Sequence, residues 1–124
     1  MTTDSLTGRR ILVAEDEMLI ALEIEETLQA LGCVVVGPAS KVDAALQLAS
    51  DEALDAAILD VTIRGGYVYP VAEQLLMRGI PFVLASGYGD WALPEALRDQ
   101  PRLIKPFTRQ DLERQVRLLC STDG

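Results

Sequence analysis

The chain has no histidine among its 124 residues, which removes every mechanism built on an imidazole base, nucleophile or metal ligand. Cysteine is scarce as well. Cys33 and Cys120 stand alone, without metal-ligand spacing, and read as buried thiols of a reducing compartment. Cations are outnumbered, 11 Lys and Arg against 19 Asp and Glu, for a net charge of −8. Nucleic-acid binders carry basic patches, so no nucleic-acid partner is expected. No apolar stretch approaches the roughly 18 residues that span a bilayer, and the N-terminus shows no signal-peptide pattern. The expectation is a soluble, cytoplasmic protein with no membrane partner. A glycine-rich phosphate loop is also missing. Glu15-Asp16-Glu17 follows the first apolar run and would repel a phosphate, against a flavin or dinucleotide carrier.

What is present alternates between strand and helix patterns. Hydrophobic residues make up 49% of the chain, enough for one domain with a real core. Met1 to Gly8 reads as a flexible tail and 9–121 as the domain. Ile11–Ala14 is a short apolar run, and Ile20, Ile24, Leu28 and Leu31 then recur at helical spacing up to Gly32. Val34-Val35-Val36 predicts a second strand closed by Gly37-Pro38. Val42, Ala45, Leu46 and Ala49 mark a second helix with Ser40 as its N-cap. A third strand, Ala57–Leu59, ends at Asp60. Val68, Val71, Ala72, Leu75 and Leu76 give a third helix, with Pro70 in its first turn and Gly79 at its end. Pro81–Ala85 is a fourth strand, and Asp90–Arg98 has room for a turn or two of helix limited by Pro94. Arg102–Ile104 is the last strand. Thr108 then caps a helix with Asp111 at the capping-box position and Leu112, Val116 and Leu119 inside. Such alternation implies an α/β fold, a doubly wound parallel sheet with helices on both faces. The chain ends soon after the last helix, so no output domain is expected within it.

Acidic residues stand where the strands stop. Glu15 and Asp16 end one run and Asp60 another, at the carboxyl edge where open parallel sheets bind ligands. Three carboxylates there are costly without a shared cation or proton. Ser86-Gly87 and Lys105-Pro106 follow two further strands. The set predicts a site for a divalent metal and a phosphoryl group.

Glu15-Asp16, Asp60, Ser86 and Lys105-Pro106-Phe107, in this order and each after a strand, resemble the receiver domain of two-component response regulators. The likeness covers about Arg10 to Cys120. It implies a flavodoxin-like (βα)5 sheet of order 2-1-3-4-5. Phe82-Val83-Leu84-Ala85-Ser86-Gly87-Tyr88 is similar to a subgroup of small receivers with a Phe-Ala-Thr-Gly-Tyr motif, with Leu84 intervening and Ser86 in place of Thr. Arg102 stands where receivers usually carry a mobile aromatic, so the stretch from Ser86 to Arg98 is expected to transmit the signal instead.

The resemblance implies the roles. Asp60 is the phospho-acceptor, and Asp16, Asp60, the Thr62 carbonyl and, through water, Glu15 hold Mg²⁺. Lys105 and Ser86 contact phosphoryl oxygens, with the Gly87 amide nearby. Catalysis of this kind is positioning and charge neutralisation, so the chain assists its own phosphorylation without being an enzyme proper. The implied partners are a sensor histidine kinase or histidine phosphotransfer protein and a downstream protein, and a homodimer is left open. Tyr88 is a candidate shield of the phosphoryl group and Trp91 a candidate partner anchor. The competing readings are a pseudo-receiver adaptor that is not phosphorylated and an aspartate-nucleophile phosphatase. The second usually needs a carboxylate where Thr62 stands.

Overall fold

The apolar runs pair in parallel, as an alternation of strands and helices demands. The structure is a computed structural model that describes residues 6–87 and 93–121. Its strands are β1 (Arg10–Ala14), β2 (Val34–Ala39), β3 (Ala56–Asp60), β4 (Thr62–Ile63), β5 (Gly66–Tyr67), β6 (Phe82–Ser86) and β7 (Arg102–Ile104). Its helices are α1 (Met18–Ala30), α2 (Val42–Asp51), α3 (Tyr69–Arg78) and α4 (Arg109–Cys120), with a 3-10 turn at Glu95–Leu97. Five strands form one parallel sheet in the order β2-β1-β3-β6-β7. Counted within that sheet, this is the expected 2-1-3-4-5 order, and the fold is flavodoxin-like.

β1 lies inside the sheet and divides the core. Leu12 and Ala14 point to the layer of α2, α3 and the 3-10 turn, while Ile11 and Val13 face α1 and α4. β3 and β6 are buried along their whole length, which is why their sequences do not alternate. The capping box of α4 is formed. Thr108 Oγ1 accepts from the Asp111 amide and Asp111 Oδ2 from the Thr108 amide, each at 3.0 Å. Pro70 occupies the first turn of α3, and Gly79 ends that helix in the left-handed region at φ 72°.

Four features differ from the sequence expectation. β2 continues through Gly37-Pro38 to Ala39 instead of stopping at Val36. Gly37 has φ +101°, and a Cβ on it would lie 2.8 Å from the Ala39 nitrogen and 2.9 Å from the Val13 carbonyl oxygen. Only glycine can therefore turn the chain there. The β1–β2 register slips at this point, and the Ala39 carbonyl accepts from the Glu15 amide at 3.0 Å. Ser40 is not the N-cap of α2. Lys41 holds that position without a side-chain cap, while the Ser40 carbonyl accepts from the Arg64 amide at 3.2 Å. Leu6, placed by the sequence in the tail, is fully buried in the α1–α4 layer because its side chain completes that core. Finally, β4 and β5 make a small antiparallel hairpin after Asp60, with the Tyr67 and Tyr69 rings stacked at 4.9 Å.

Candidate functional site

β1, β3, β6 and β7 each deliver one part of the site by ending at the same edge of the sheet. Glu15 and Asp16 follow β1, Asp60 is the last residue of β3, Ser86 the last of β6, and Lys105 follows β7. Lys105 Nζ lies 2.8 Å from Asp60 Oδ2 and 3.2 Å from Glu15 Oε1. The Lys105–Pro106 peptide bond is cis. One carboxylate oxygen each from Glu15, Asp16 and Asp60 lies within 4.8 Å of the others. The sequence-predicted carboxylates and lysine are thus brought together.

Burial sharpens the electrostatics. Glu15 is 3% exposed and Asp60 8%, so little water solvates their charges. Burial, reinforced by the neighbouring Asp60 carboxylate, pushes the Glu15 carboxyl up to about 7, against the hydrogen bond from the Glu17 amide. For Lys105, burial alone pulls the ammonium down. The Asp60 hydrogen bond and the charges of Asp60 and Glu15 outweigh that, and the net direction is upward. Glu15 and Asp60 thus share one ammonium, with the Asp16 carboxylate close by.

Among the described residues two buried side-chain oxygens stand out: Glu15 Oε1, whose one partner is the Lys105 ammonium at 3.2 Å, and Ser86 Oγ, which has no hydrogen-bond partner. An unsatisfied buried hydroxyl or carboxylate oxygen is costly, on the order of 1–3 kcal/mol. Their placement beside a clustered negative charge suits a hard cation with oxygen ligands, and a group carrying acceptor oxygens for Ser86. The residues present therefore fit a magnesium ion held by Asp16, Asp60 and Glu15.

The remaining predicted residues take peripheral places. Thr62 is exposed on β4, and its amide donates to Asp60 Oδ1 at 3.4 Å. Gly87 is exposed at the exit of β6, and a Cβ there would meet open space. Arg102, at the switch position, is half-buried on β7 and donates to the Arg98 carbonyl at 3.4 Å. Tyr88 and Trp91 lie outside the described residues. Cys33 and Cys120 are buried thiols.

Sequence reasoning missed two features. The Glu17 amide orients Glu15 by donating to its Oε2 at 3.0 Å, a backbone contact that no side-chain pattern announces. A groove of about 280 Å³ opens beside Lys105, lined by Glu17, Ile20, Glu23, Pro106 and Phe107. The helical spacing of Ile20 and Glu23 was its only trace.

No protein-family model matches the chain. The transcriptional regulatory protein PdtaR of Mycobacterium tuberculosis is 33% identical over 122 residues, covering 95% of this chain. The chain spans 60% of the length of that curated relative. SdrG from Sphingomonas melonis Fr1 superposes with a TM-score of 0.79 at 41% identity, over 95% of this chain and 98% of SdrG. A response regulator receiver protein from Sinorhizobium medicae WSM419 gives 0.83 at 28% identity, over 96% and 99% of the two chains. The receiver domain of the sensor histidine kinase PA1611 from Pseudomonas aeruginosa PAO1 has a magnesium ion coordinated in its active site cleft. It shares the fold at 23% identity and a TM-score of 0.76, over 94% of this chain and all of that one, 100%.

Proposed function

Because the chain belongs to the receiver domains of response regulators, we propose that it accepts a phosphoryl group on Asp60 and signals by protein–protein contact. The observation that carries this reading is the Lys105 ammonium 2.8 Å from Asp60 Oδ2 within a cluster of three carboxylates. The donor is a phosphohistidine of a sensor histidine kinase or a histidine phosphotransfer protein. An Asp60 carboxylate oxygen attacks phosphorus, the phosphorus–nitrogen bond breaks, and its electron pair leaves with the imidazole.

Each residue has a task in that transfer. A carboxylate meeting an anionic phosphoryl group is repelled, and magnesium, when bound, supplies the intervening positive charge. Asp16 and Asp60 would hold it directly, Thr62 through its carbonyl and Glu15 through a water. The magnesium ion in the active site cleft of the PA1611 receiver, which shares this fold, supports a magnesium site here. Lys105, already at Asp60, pairs with one phosphoryl oxygen as a point charge. Ser86 Oγ, buried and without a partner, donates to another, and the Gly87 amide lies next to it in the chain. Fixed donors of this kind lower the barrier by charge placement, so no imidazole is needed. The chain in this reading assists its own phosphorylation and dephosphorylation and is not an enzyme of other substrates. A pseudo-receiver adaptor is disfavoured because acid cluster, lysine and hydroxyl are all assembled. A phosphatase is disfavoured by Thr62.

The test is intact-mass measurement after incubation with a small phosphodonor and Mg²⁺. The wild type gains one phosphoryl group and Asp60→Asn gains none. Phosphorylation of Asp60→Asn to the wild-type extent would overturn the assignment.

A further inference from the structure

Most cations of this acidic chain are held by its own acids or carbonyls. Of its 11 Lys and Arg residues, only Lys41, Arg64 and Arg114 make neither a salt bridge nor a side-chain hydrogen bond among the described residues. Lys41 and Arg64 stand opposite each other. The β2–α2 connection and the β4–β5 turn form a parallel bridge at these two residues. The Arg64 amide donates to the Ser40 carbonyl at 3.2 Å, and the Val42 amide to the Arg64 carbonyl at 2.8 Å. Facing residues of a bridge project to the same side, and like charges so placed repel. Both side chains are exposed. Asp43 lies nearby, but its Oδ1 accepts from the Ala44 amide at 2.8 Å and it bridges neither cation.

An apolar strip continues from this pair. Lys41 and Arg64 line one groove of about 470 Å³ with Val42, Leu46 and Pro70, where the start of α2 meets the start of α3. Val42 and Leu46, one turn apart, form the α2 wall. Met77 follows Pro70 by seven residues, so it repeats that position two turns along α3, and it is 82% exposed. Arg78, the next residue, reaches the Ala49 and Glu52 carbonyls at the end of α2, which holds this side of α3 against its neighbour.

We propose that this groove docks an acidic amphipathic helix of a partner protein. Carboxylates of that helix meet Lys41 and Arg64, and its apolar side chains, one and two turns on, cover Val42, Leu46 and Pro70 and then Met77. Two unpaired cations in a chain of net charge −8 select an anion. The strip of roughly 10 Å along α3 selects one that carries hydrocarbon on a helical face. A free phosphate ion would satisfy only the cations. The chain's overall charge repels an acidic partner at long range, but at about 0.15 M salt the Debye length of roughly 8 Å screens it and spares charges in contact. A contact confined to one groove falls below the roughly 800 Å² per partner of stable complexes, so the binding is weak.

Amide chemical shifts of the full chain test this, without phosphodonor, against a blocked alanine-based helical peptide. The peptide carries two glutamates in one turn and leucines on the same face of the next two. Shifts should centre on Lys41, Val42, Leu46, Arg64 and Met77, with a Kd of about 0.1–1 mM. Replacing the glutamates by glutamine, or the leucines by serine, should weaken binding about tenfold. Lys41→Glu/Arg64→Glu, at exposed positions, should keep the wild-type circular dichroism and lose this peptide. The reversed variant should instead bind the peptide with lysine in place of glutamate, at the same amides. No shift up to about 5 mM, shifts centred elsewhere, or binding indifferent to either peptide change or to the double reversal overturns the proposal. So does a reversed variant that ignores the lysine peptide, or inorganic phosphate that moves the same amides at the same concentration as the peptide. None of these readouts depends on phosphorylation of Asp60.

Discussion

At the N-terminal edge of the sheet Arg10 donates its amide to Asp55 Oδ2, its Nε to the Ala53 carbonyl and a guanidinium nitrogen to Glu52 Oε1, all within 2.9 Å. Arg9 adds a contact to Asp55 Oδ1, and Arg78 reaches the Ala49 and Glu52 carbonyls at the end of α2. At the C-terminal edge Glu15 and Asp60 lean on Lys105 with Asp16 beside them, and among the described residues the buried Ser86 Oγ has no hydrogen-bond partner. The first edge is half-exposed and closes its polar groups on one another. The second keeps polar capacity open in a dry setting, and a fold can hold it only because the hydrophobic layers carry the stability. A functional edge differs from a structural one by unused bonding capacity, not by charge count.

The sharpest way to break that contrast is to remove the shared cation. Lys105→Met leaves Glu15 and Asp60 buried without it. Breaking a buried pair costs about 3–5 kcal/mol, and partial exposure of Lys105 brings the expected loss to about 2–3 kcal/mol. Urea unfolding should show that loss, and saturating Mg²⁺ should recover most of it by binding the folded state. An unchanged midpoint would mean the acid edge carries no excess charge. Next in size, Asp16→Asn should weaken Mg²⁺ binding about tenfold, some 1.4 kcal/mol, by titration calorimetry. Unchanged affinity would move the metal elsewhere.

The third test is pH. A carboxyl with its folded value raised binds a proton more tightly in the folded chain than in the unfolded one. Without metal, stability should therefore rise as pH falls from about 7 toward 4.5, the ordinary Glu15 value. The slope from this one group is at most about 1.4 kcal/mol per pH unit. Glu15→Gln should flatten that part of the curve, and an identical slope in the variant would refute the assignment. At the other edge Arg78→Met should cost about 1 kcal/mol through two lost carbonyl contacts, with no response to Mg²⁺. Thr108→Ala, at the acid edge but inside a closed capping box, should cost somewhat under about 1 kcal/mol and also ignore Mg²⁺. If it altered metal affinity, the cap would belong to the site.

The fold was legible wherever apolar residues were dense and turn residues stood at their ends. β1, β3 and β6 are such runs, and α4 announced itself through Thr108 and Asp111. The acid edge was legible because each of its residues ends or closely follows a strand, so chain position dictates location. Other parts depend on contacts remote in sequence. Leu6 has no periodic neighbours, and its burial comes from α1 and α4 closing over it. β4 and β5 have two residues each, too few for any alternation. The end of β2 was misplaced because Gly37-Pro38 usually signals a stop, whereas here the sheet resumes at Ala39. Backbone contacts such as Glu17 to Glu15 leave no mark in side-chain pattern.

Gly37 has a consequence for heredity. The backbone it turns brings the Ala39 carbonyl to the amide of Glu15, so the spacing of the acid edge is gauged from the neighbouring strand. A library of random variants selected for signalling should discard changes at Gly37 as strictly as changes at Asp60. The reason would be tolerance rather than chemistry, since any side chain there meets the Val13 carbonyl at 2.9 Å. A drift of sequence that freely repaints the outer faces of the helices would stall at this position, which touches no phosphate and carries no charge.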